Sequence, residues 1–254
     1  MAKNLIGNSW VDASDGKTID VLNPATKTLI DTVPDTTKED CDNAVKAAIE
    51  GQKQWSKKSI TERADILMKF AALVEKNKDE LAKLLSDETG KPIAEAIGEI
   101  ANVQIAMPAF CERAKHEYGL VIPKGTEKGQ EGTIQYTQQY PLGVVVAVIP
   151  FNFPSDLFCQ NVPPALLMGN SVILKPSAHN PLTLTKYTEL LIEAGVPMGT
   201  INLLNGAGGE AVQTLAENPG VNLVSLTGST IAGSETMAKC AKNITHVTLE
   251  LGGN

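Results

Sequence analysis

The sequence is short of several things, and each shortage closes off a class of protein. Its four cysteines, Cys41, Cys111, Cys159 and Cys240, are scattered across 254 residues. No Cys-x-x-Cys pair and no His/Cys cluster occurs, which argues against a metal centre. In a reducing compartment all four would be free thiols, and a small buried hydrophobe is the default role of each. Positive charge is also scarce: 22 Lys and Arg against 29 Asp and Glu leave a net charge of −7. A nucleic-acid binder needs a basic face, so no nucleic-acid partner is expected. The apolar runs are strand-length, far below the ~20 residues of a membrane helix. The opening MAKNLIGNSW holds no long apolar signal segment. A soluble, cytoplasmic protein without membrane contact is the expectation. What is present is 43% apolar and 20% charged residues, enough to fill the core of one large domain or two modest ones.

The chain is organised around Val144 to Pro154, VVVAVIPFNFP. A β-branched run that stops at a proline predicts a central strand ending in a rigid polar loop. From there strand and helix alternate. Strands are predicted at 144–149, 171–175, 200–204, 221–226 and 245–250, and helices at about 155–168, 181–194, 210–217 and 230–241. That alternation implies right-handed parallel crossovers, hence an α/β fold with an open, Rossmann-like sheet and helices on both faces. Ligands in such sheets bind beyond the carboxyl ends of the strands. The loops that matter are then Pro150–Pro154, Lys175–Ser177, Asn205–Gly209, Thr227–Ser229 and Leu251–Asn254, all on one edge.

Upstream lies a cover for that sheet. Residues 5–35 mix short apolar pieces with turn signals, and Asp15-Gly16 suits a tight hairpin turn. Thr37 with Asp40, and Ser59 with Glu62, are capping boxes that start helices. Gly90 sits where a helix end wants a left-handed residue, with Pro92 just beyond. One longer helix is predicted from about Ile93 to His116, with Glu95, Glu99, Glu112 and Arg113 on a solvated face. Thr133–Gln139 is polar and β-prone between loops. It predicts a small protruding arm that pairs outside the main sheet, a partner subunit being one candidate.

Each loop on the ligand edge carries a candidate, and each has a blander reading beside it. Gly206-Ala207-Gly208-Gly209-Glu210-Ala211 fits a G-x-G-x-x-G/A phosphate turn. The acidic residue expected about twenty positions on is missing, so a structural turn is an equal reading. Gly228 and Ser229 leave a strand and open a helix, where free N–H groups and the helix dipole suit an anion; Ser229 is equally suited to capping that helix. Lys175 ends a strand, where an ammonium suits a ribose hydroxyl or a phosphate, or simply solvent. Glu250, beside Gly252-Gly253, is placed to act as a general base or to form a salt bridge. Asn152 can donate its amide to an oxyanion or satisfy backbone groups in a proline-locked loop.

Together these loops resemble the NAD(P)-dependent aldehyde dehydrogenase superfamily. Its signatures appear in order: Asn23-Pro24-Ala25-Thr26, Glu88-Thr89-Gly90-Lys91-Pro92, Pro150-Phe151-Asn152-Phe153-Pro154, Lys175-Pro176-Ser177, Leu226-Thr227-Gly228-Ser229-Thr230 with Gly233, and Leu249-Glu250-Leu251-Gly252-Gly253-Asn254. The resemblance implies NAD or NADP as cofactor and a small-molecule aldehyde as substrate, of semialdehyde or lactaldehyde type. It implies a homodimer or homotetramer. Asn152 would stabilise the thiohemiacetal oxyanion and Glu250 would activate the hydrolytic water. Lys175 and Ser177 would contact the adenosine ribose, and Gly228 and Ser229 the pyrophosphate. Ile149, Pro150 and Phe151 would line the cofactor cleft, with Gly208, Leu251 and Gly252 beside it. By the same resemblance residues 1–122 belong to the cofactor-binding domain, 123–142 to an oligomerisation arm and 143–254 to the Rossmann-like core. Two positions depart from the pattern. Ala178 stands where NAD-preferring members carry a ribose-binding Glu, which removes repulsion against a 2′-phosphate and opens NADP use. Leu226 replaces the usual Phe. None of the four cysteines matches the family's nucleophile, which belongs to a catalytic domain these residues do not reach. The chain is therefore expected to be inactive alone, as a fragment or a natural truncation. The other reading is a non-catalytic nucleotide-binding or assembly module.

Overall fold

The computed structural model describes residues 2–252; the expectations for Gly253 and Asn254 lie outside the described residues. The chain opens with β1 (Asn4–Ile6), β2 (Ser9–Val11), β3 (Thr18–Leu22) and β4 (Leu29–Pro34). Five helices follow: α1 (Lys38–Trp55), α2 (Ile60–Lys76), α3 (Lys78–Thr89), α4 (Ile93–Ala101) and α5 (Val103–Lys115). Two short strands, β5 (Val121–Ile122) and β6 (Gln135–Tyr136), form the arm. The core then runs β7 (Val144–Ile149), α6 (Pro154–Leu167), β8 (Ser171–Pro176), α7 (Leu182–Ala194), β9 (Ile201–Leu203), α8 (Gly208–Glu217), β10 (Leu223–Gly228), α9 (Thr230–Cys240) and β11 (His246–Leu251).

The main sheet has the order β11-β10-β7-β8-β9-β1-β2. β7 to β11 run parallel to one another, and β1 and β2 add an antiparallel edge beside β9. The chain thus moves outward from β7 to β8 and β9, then returns to the other side of β7 for β10 and β11. The order reverses between β7 and β10, which opens a crevice at their carboxyl ends. β7 needs two apolar faces because helices cover both sides of it. Val145, Ala147 and Ile149 pack with α2 to α7. Val144 and Val146 pack with α1, α8 and α9. Phe70, Phe158 and Tyr187 join α2, α6 and α7, the two rings nearest Tyr187 lying 5.1 and 5.6 Å from it.

The local signals upstream are realised. Thr37 Oγ1 accepts from the Asp40 N–H at 3.2 Å, and the Asp40 carboxylate accepts from the Thr37 N–H at 2.9 Å. Ser59 and Glu62 do the same for α2. Gly90 ends α3 with φ of +75°, a left-handed conformation that glycine adopts without cost.

Four expectations are corrected. The first hairpin turns at Gly7-Asn8, not at Asp15-Gly16. Leu5 must be buried, so β1 docks onto β9 in the main sheet, and Asp15-Gly16 only links β2 to β3 in a different sheet. The long helix is two helices, parted at Asn102. There the Asn102 amide reaches across to Asp156 of α6 at 3.1 Å, and the two halves follow different neighbours, α4 along α3 and α5 against α2 and α6. Glu99, read as solvated, is buried. The arm's strand is shorter than Thr133–Gln139: Val121 pairs with Tyr136 and Ile122 with Gln135, and the Thr137 N–H donates to the Leu120 carbonyl at 2.9 Å.

Candidate functional site

Parallel pairing brings the five strand-end loops to one edge. At the crevice between β7 and β10 lies a cavity of about 240 Å³. Its floor is Val148, Leu226 and Val212, and its walls are Gly208 and Gly209 at the start of α8 and Gly228, Ala232 and Thr236 near the start of α9. A Cβ added at Gly208 or Gly209 would meet nothing within 4 Å. These glycines therefore leave open space beside the cavity instead of serving helix packing. Gln213, Thr227 and Glu235 complete the lining.

The α9 end of the slot is a helix N-terminus, a feature whose dipole favours negative charge. Ser229 caps α9, its hydroxyl accepting from the Ala232 N–H at 3.2 Å. The first N–H groups of a helix have no intrahelical partner, and here Ser229, Thr230 and Ile231 are all exposed. At α8 the Ala207 N–H donates to Asp35 at 2.8 Å, which fixes how the glycine turn enters the helix. Gly206 needs a glycine, with φ of +91° and a Cβ that would lie 2.7 Å from Asp35.

Lys175 is not where its strand-end position suggested. It is 1% exposed, and its ammonium donates to the Pro176 carbonyl at 2.9 Å and the Gly206 carbonyl at 2.7 Å. Burial pushes its pKa down to about 8. The ammonium ties the end of β8 to the glycine turn before α8. Ser177 is half-buried, and its hydroxyl accepts from the His179 N–H at 3.2 Å. Ala178 lines a second, wider cavity of about 440 Å³ with Asp20, Glu88, Phe151 and His179.

The β7 loop presents its polar group outward. Ile149 is buried, Pro150 half-buried, and Phe151, Asn152 and Phe153 are exposed. The Asn152 side-chain amide makes no hydrogen bond among the described residues; only its backbone carbonyl is held, by Lys91 at 3.1 Å. Glu250 is exposed on β11, opposite Thr227, and forms no ion pair among the described residues. Thr227 lies one step beyond the last β7–β10 pair, Val148–Leu226. Glu250 is thus level with the end of β7 and two strand spacings away, roughly 10 Å. Leu251 turns away from the edge toward α9: a Cβ on Gly233 would lie 2.6 Å from its side chain. Gly252 is exposed with open space around it.

Sequence reasoning missed the residues behind the site. Asp35 had no local pattern to mark it. Glu88 and Lys91 stand in a recognised segment but carried no role there. Glu88 is fully buried and accepts from the Leu182 N–H at 2.7 Å and the Thr183 N–H at 2.9 Å, capping α7 across the fold. Burial raises its carboxyl to about 7.

A sequence model of the aldehyde dehydrogenase family matches residues 10–254. The D-glyceraldehyde dehydrogenase (NADP(+)) of Picrophilus torridus is 38% identical over 251 residues, covering 99% of this chain and 50% of that protein. The NADP(+) succinate-semialdehyde dehydrogenase of Escherichia coli K12 is 38% identical over 250 residues, covering 98% and 51%. A crystal structure of an E. coli NADP-dependent enzyme superposes with a TM-score of 0.95 at 38% identity, covering 99% of this chain and 52% of that one. The chain spans about half the length of the curated relatives it matches. With strand order, loop placement and sequence match in agreement, the chain belongs to the aldehyde dehydrogenase family.

Proposed function

We propose that this chain binds NAD(P) in the β7–β10 crevice and supplies the oxyanion donor and the general base for oxidation of an aldehyde to a carboxylic acid. The observation that carries the proposal is the glycine-walled slot beside an open helix N-terminus, with Asn152 and Glu250 both free-standing on the same edge. The slot takes the adenine ring, the N-terminus of α9 with Gly228 and Ser229 takes the pyrophosphate, and the Lys175–Ser177 strand end lies beside the ribose. Bound there, the cofactor supplies a hydride acceptor. The chain's own residues orient and exchange protons around it. Asn152 offers two N–H donors, without a competing internal partner, to the oxygen of a tetrahedral adduct as negative charge develops there. Glu250 takes a proton from the water that releases the acid. Ala178 presents no carboxylate near the ribose, which favours acceptance of a 2′-phosphate and hence of NADP.

The covalent step of this chemistry needs a thiolate, and the chain's own thiols are unsuited to it. All four cysteines are buried. Burial pushes Cys41 and Cys159 to about 12 and raises Cys111 and Cys240. The 254-residue chain on its own therefore binds dinucleotide without turning over aldehyde. The exposed apolar arm, with Val121, Ile134 and Tyr136 facing outward, supports assembly into a homodimer or homotetramer. Calorimetric titration with NAD+ and NADP+, followed by an absorbance assay with short semialdehydes, tests the proposal. Binding without reduction of the cofactor is expected. Failure to bind either dinucleotide, or turnover by the chain alone, overturns it.

A further inference from the structure

Behind the Asn152 loop lies a buried ion pair that the proposed chemistry does not use. Lys91 follows α3 and Glu99 is on α4; their side chains are 11% and 2% exposed and in direct contact. Removing both charges from water is costly, and such a pair is weak evidence of stabilisation. What it holds is specific. Glu99 accepts from the Ser155 N–H at 2.8 Å, while Lys91 donates to the Asn152 carbonyl at 3.1 Å and lies 4.5 Å from the centre of the Phe153 ring. The preceding carbonyl, that of Phe151, accepts from the Asn180 side-chain amide at 2.8 Å.

These two contacts act on the peptide planes either side of one Cα. Asn180 fixes the Phe151–Asn152 plane, and Lys91 fixes the Asn152–Phe153 plane. Once both planes are fixed, so are φ and ψ of Asn152 and the direction of its Cα–Cβ bond. The side-chain amide itself keeps its hydrogen-bonding capacity free. We propose that Lys91, braced by Glu99 and opposed by Asn180, is a positioning residue that aims the Asn152 amide. The functional significance of that aim rests on the oxyanion reading above; the clamp itself does not.

The test is nuclear magnetic resonance on the full chain, comparing Lys91→Met, Lys91→Arg and Asn180→Ala with the parent. In Lys91→Met the Ser155 amide is expected to exchange at least tenfold faster. The Asn152 side-chain amide signals are expected to move toward averaged, mobile values, while the amides of Val146 and Ile173 stay as they are. Lys91→Arg, which keeps a cation in reach of Glu99, restores both signatures. Asn180→Ala, which leaves the ion pair intact, mobilises Asn152 but not Ser155, and it carries the same test should Lys91→Met fail to fold. Folded variants with unchanged Asn152 signals overturn the proposal, and so does uniform loosening of the core along with the loop. An NAD+ and NADP+ titration of the parent runs alongside: failure to bind refutes the function proposed above and leaves the clamp result standing.

Discussion

Glu88 gives the sharpest physical test. Its carboxyl is fully buried and accepts from two backbone N–H groups of α7, and it forms no ion pair among the described residues. Two effects oppose each other. The N–H groups and the positive end of α7 favour the carboxylate. Desolvation favours the neutral acid and is the larger, so the group rises from its ordinary 4.5 to about 7. That gap corresponds, at about 1.4 kcal/mol for each tenfold change, to about 3 kcal/mol. The sign follows from linkage: the folded chain holds this proton more tightly than the unfolded chain. The stabilisation is full below pH 4.5 and is lost as pH rises through about 7. Glu88→Gln keeps a hydrogen-bonding side chain but does not titrate. Urea unfolding of parent and variant at about pH 5 and about pH 8 isolates the group. The parent should lose roughly 2–3 kcal/mol relative to the variant across that interval. A flat difference refutes the reasoning. A difference that grows in the parent's favour with pH shows that the N–H groups and the helix dipole win over desolvation.

Other perturbations read different parts of the fold. Gly51→Ala places a Cβ 2.3 Å from the Gly199 carbonyl carbon where α1 crosses the loop before β9; the backbone must move, and a loss of about 1–3 kcal/mol in urea unfolding is expected. Lys175 is held to about 8 against an ordinary 10.5, so the unfolded chain binds more protons between those values. Relative to Lys175→Met, the parent should gain up to about 3 kcal/mol of stability as pH rises from 8 toward 10.5. Ser229→Ala removes the α9 cap and should cost about 1 kcal/mol in thermal unfolding. Ala178→Glu places a carboxylate beside the proposed ribose position and should weaken NADP+ binding at least about tenfold against NAD+, equivalent to about 1.4 kcal/mol; an unchanged ratio in calorimetry removes Ala178 from cofactor choice.

The parallel α/β sheet was legible in advance because its signals are local. β-branched runs of strand length alternate with helical periods, and such alternation admits few topologies. The helix starts at Thr37 and Ser59 and the stop at Gly90 were legible for the same reason, since each cap closes within a few residues. The break at Asn102 was not, because its cause is the different course of α3, α2 and α6 around it. Asp15-Gly16 failed as a hairpin turn because its chemistry fits several turns; the burial demand of Leu5, met only by docking β1 on β9, chose another.

The sequence by itself determined the strands and helices of the core from β7 to β11, the order of the loops and the edge they share. It also singled out Asn152 and Glu250 as candidates, because the residue types and their strand-end positions lie along the chain. Only the tertiary structure decided which groups stand free and which are consumed. Lys175 looked like a ligand-facing cation and is spent on two carbonyls. Glu99 looked solvated and is half of a buried pair. Glu88 caps a helix 94 residues away. The physical reason is common to all three: a charged side chain's state is set by the dielectric and the partners that packing brings to it, and those partners come from distant parts of the chain.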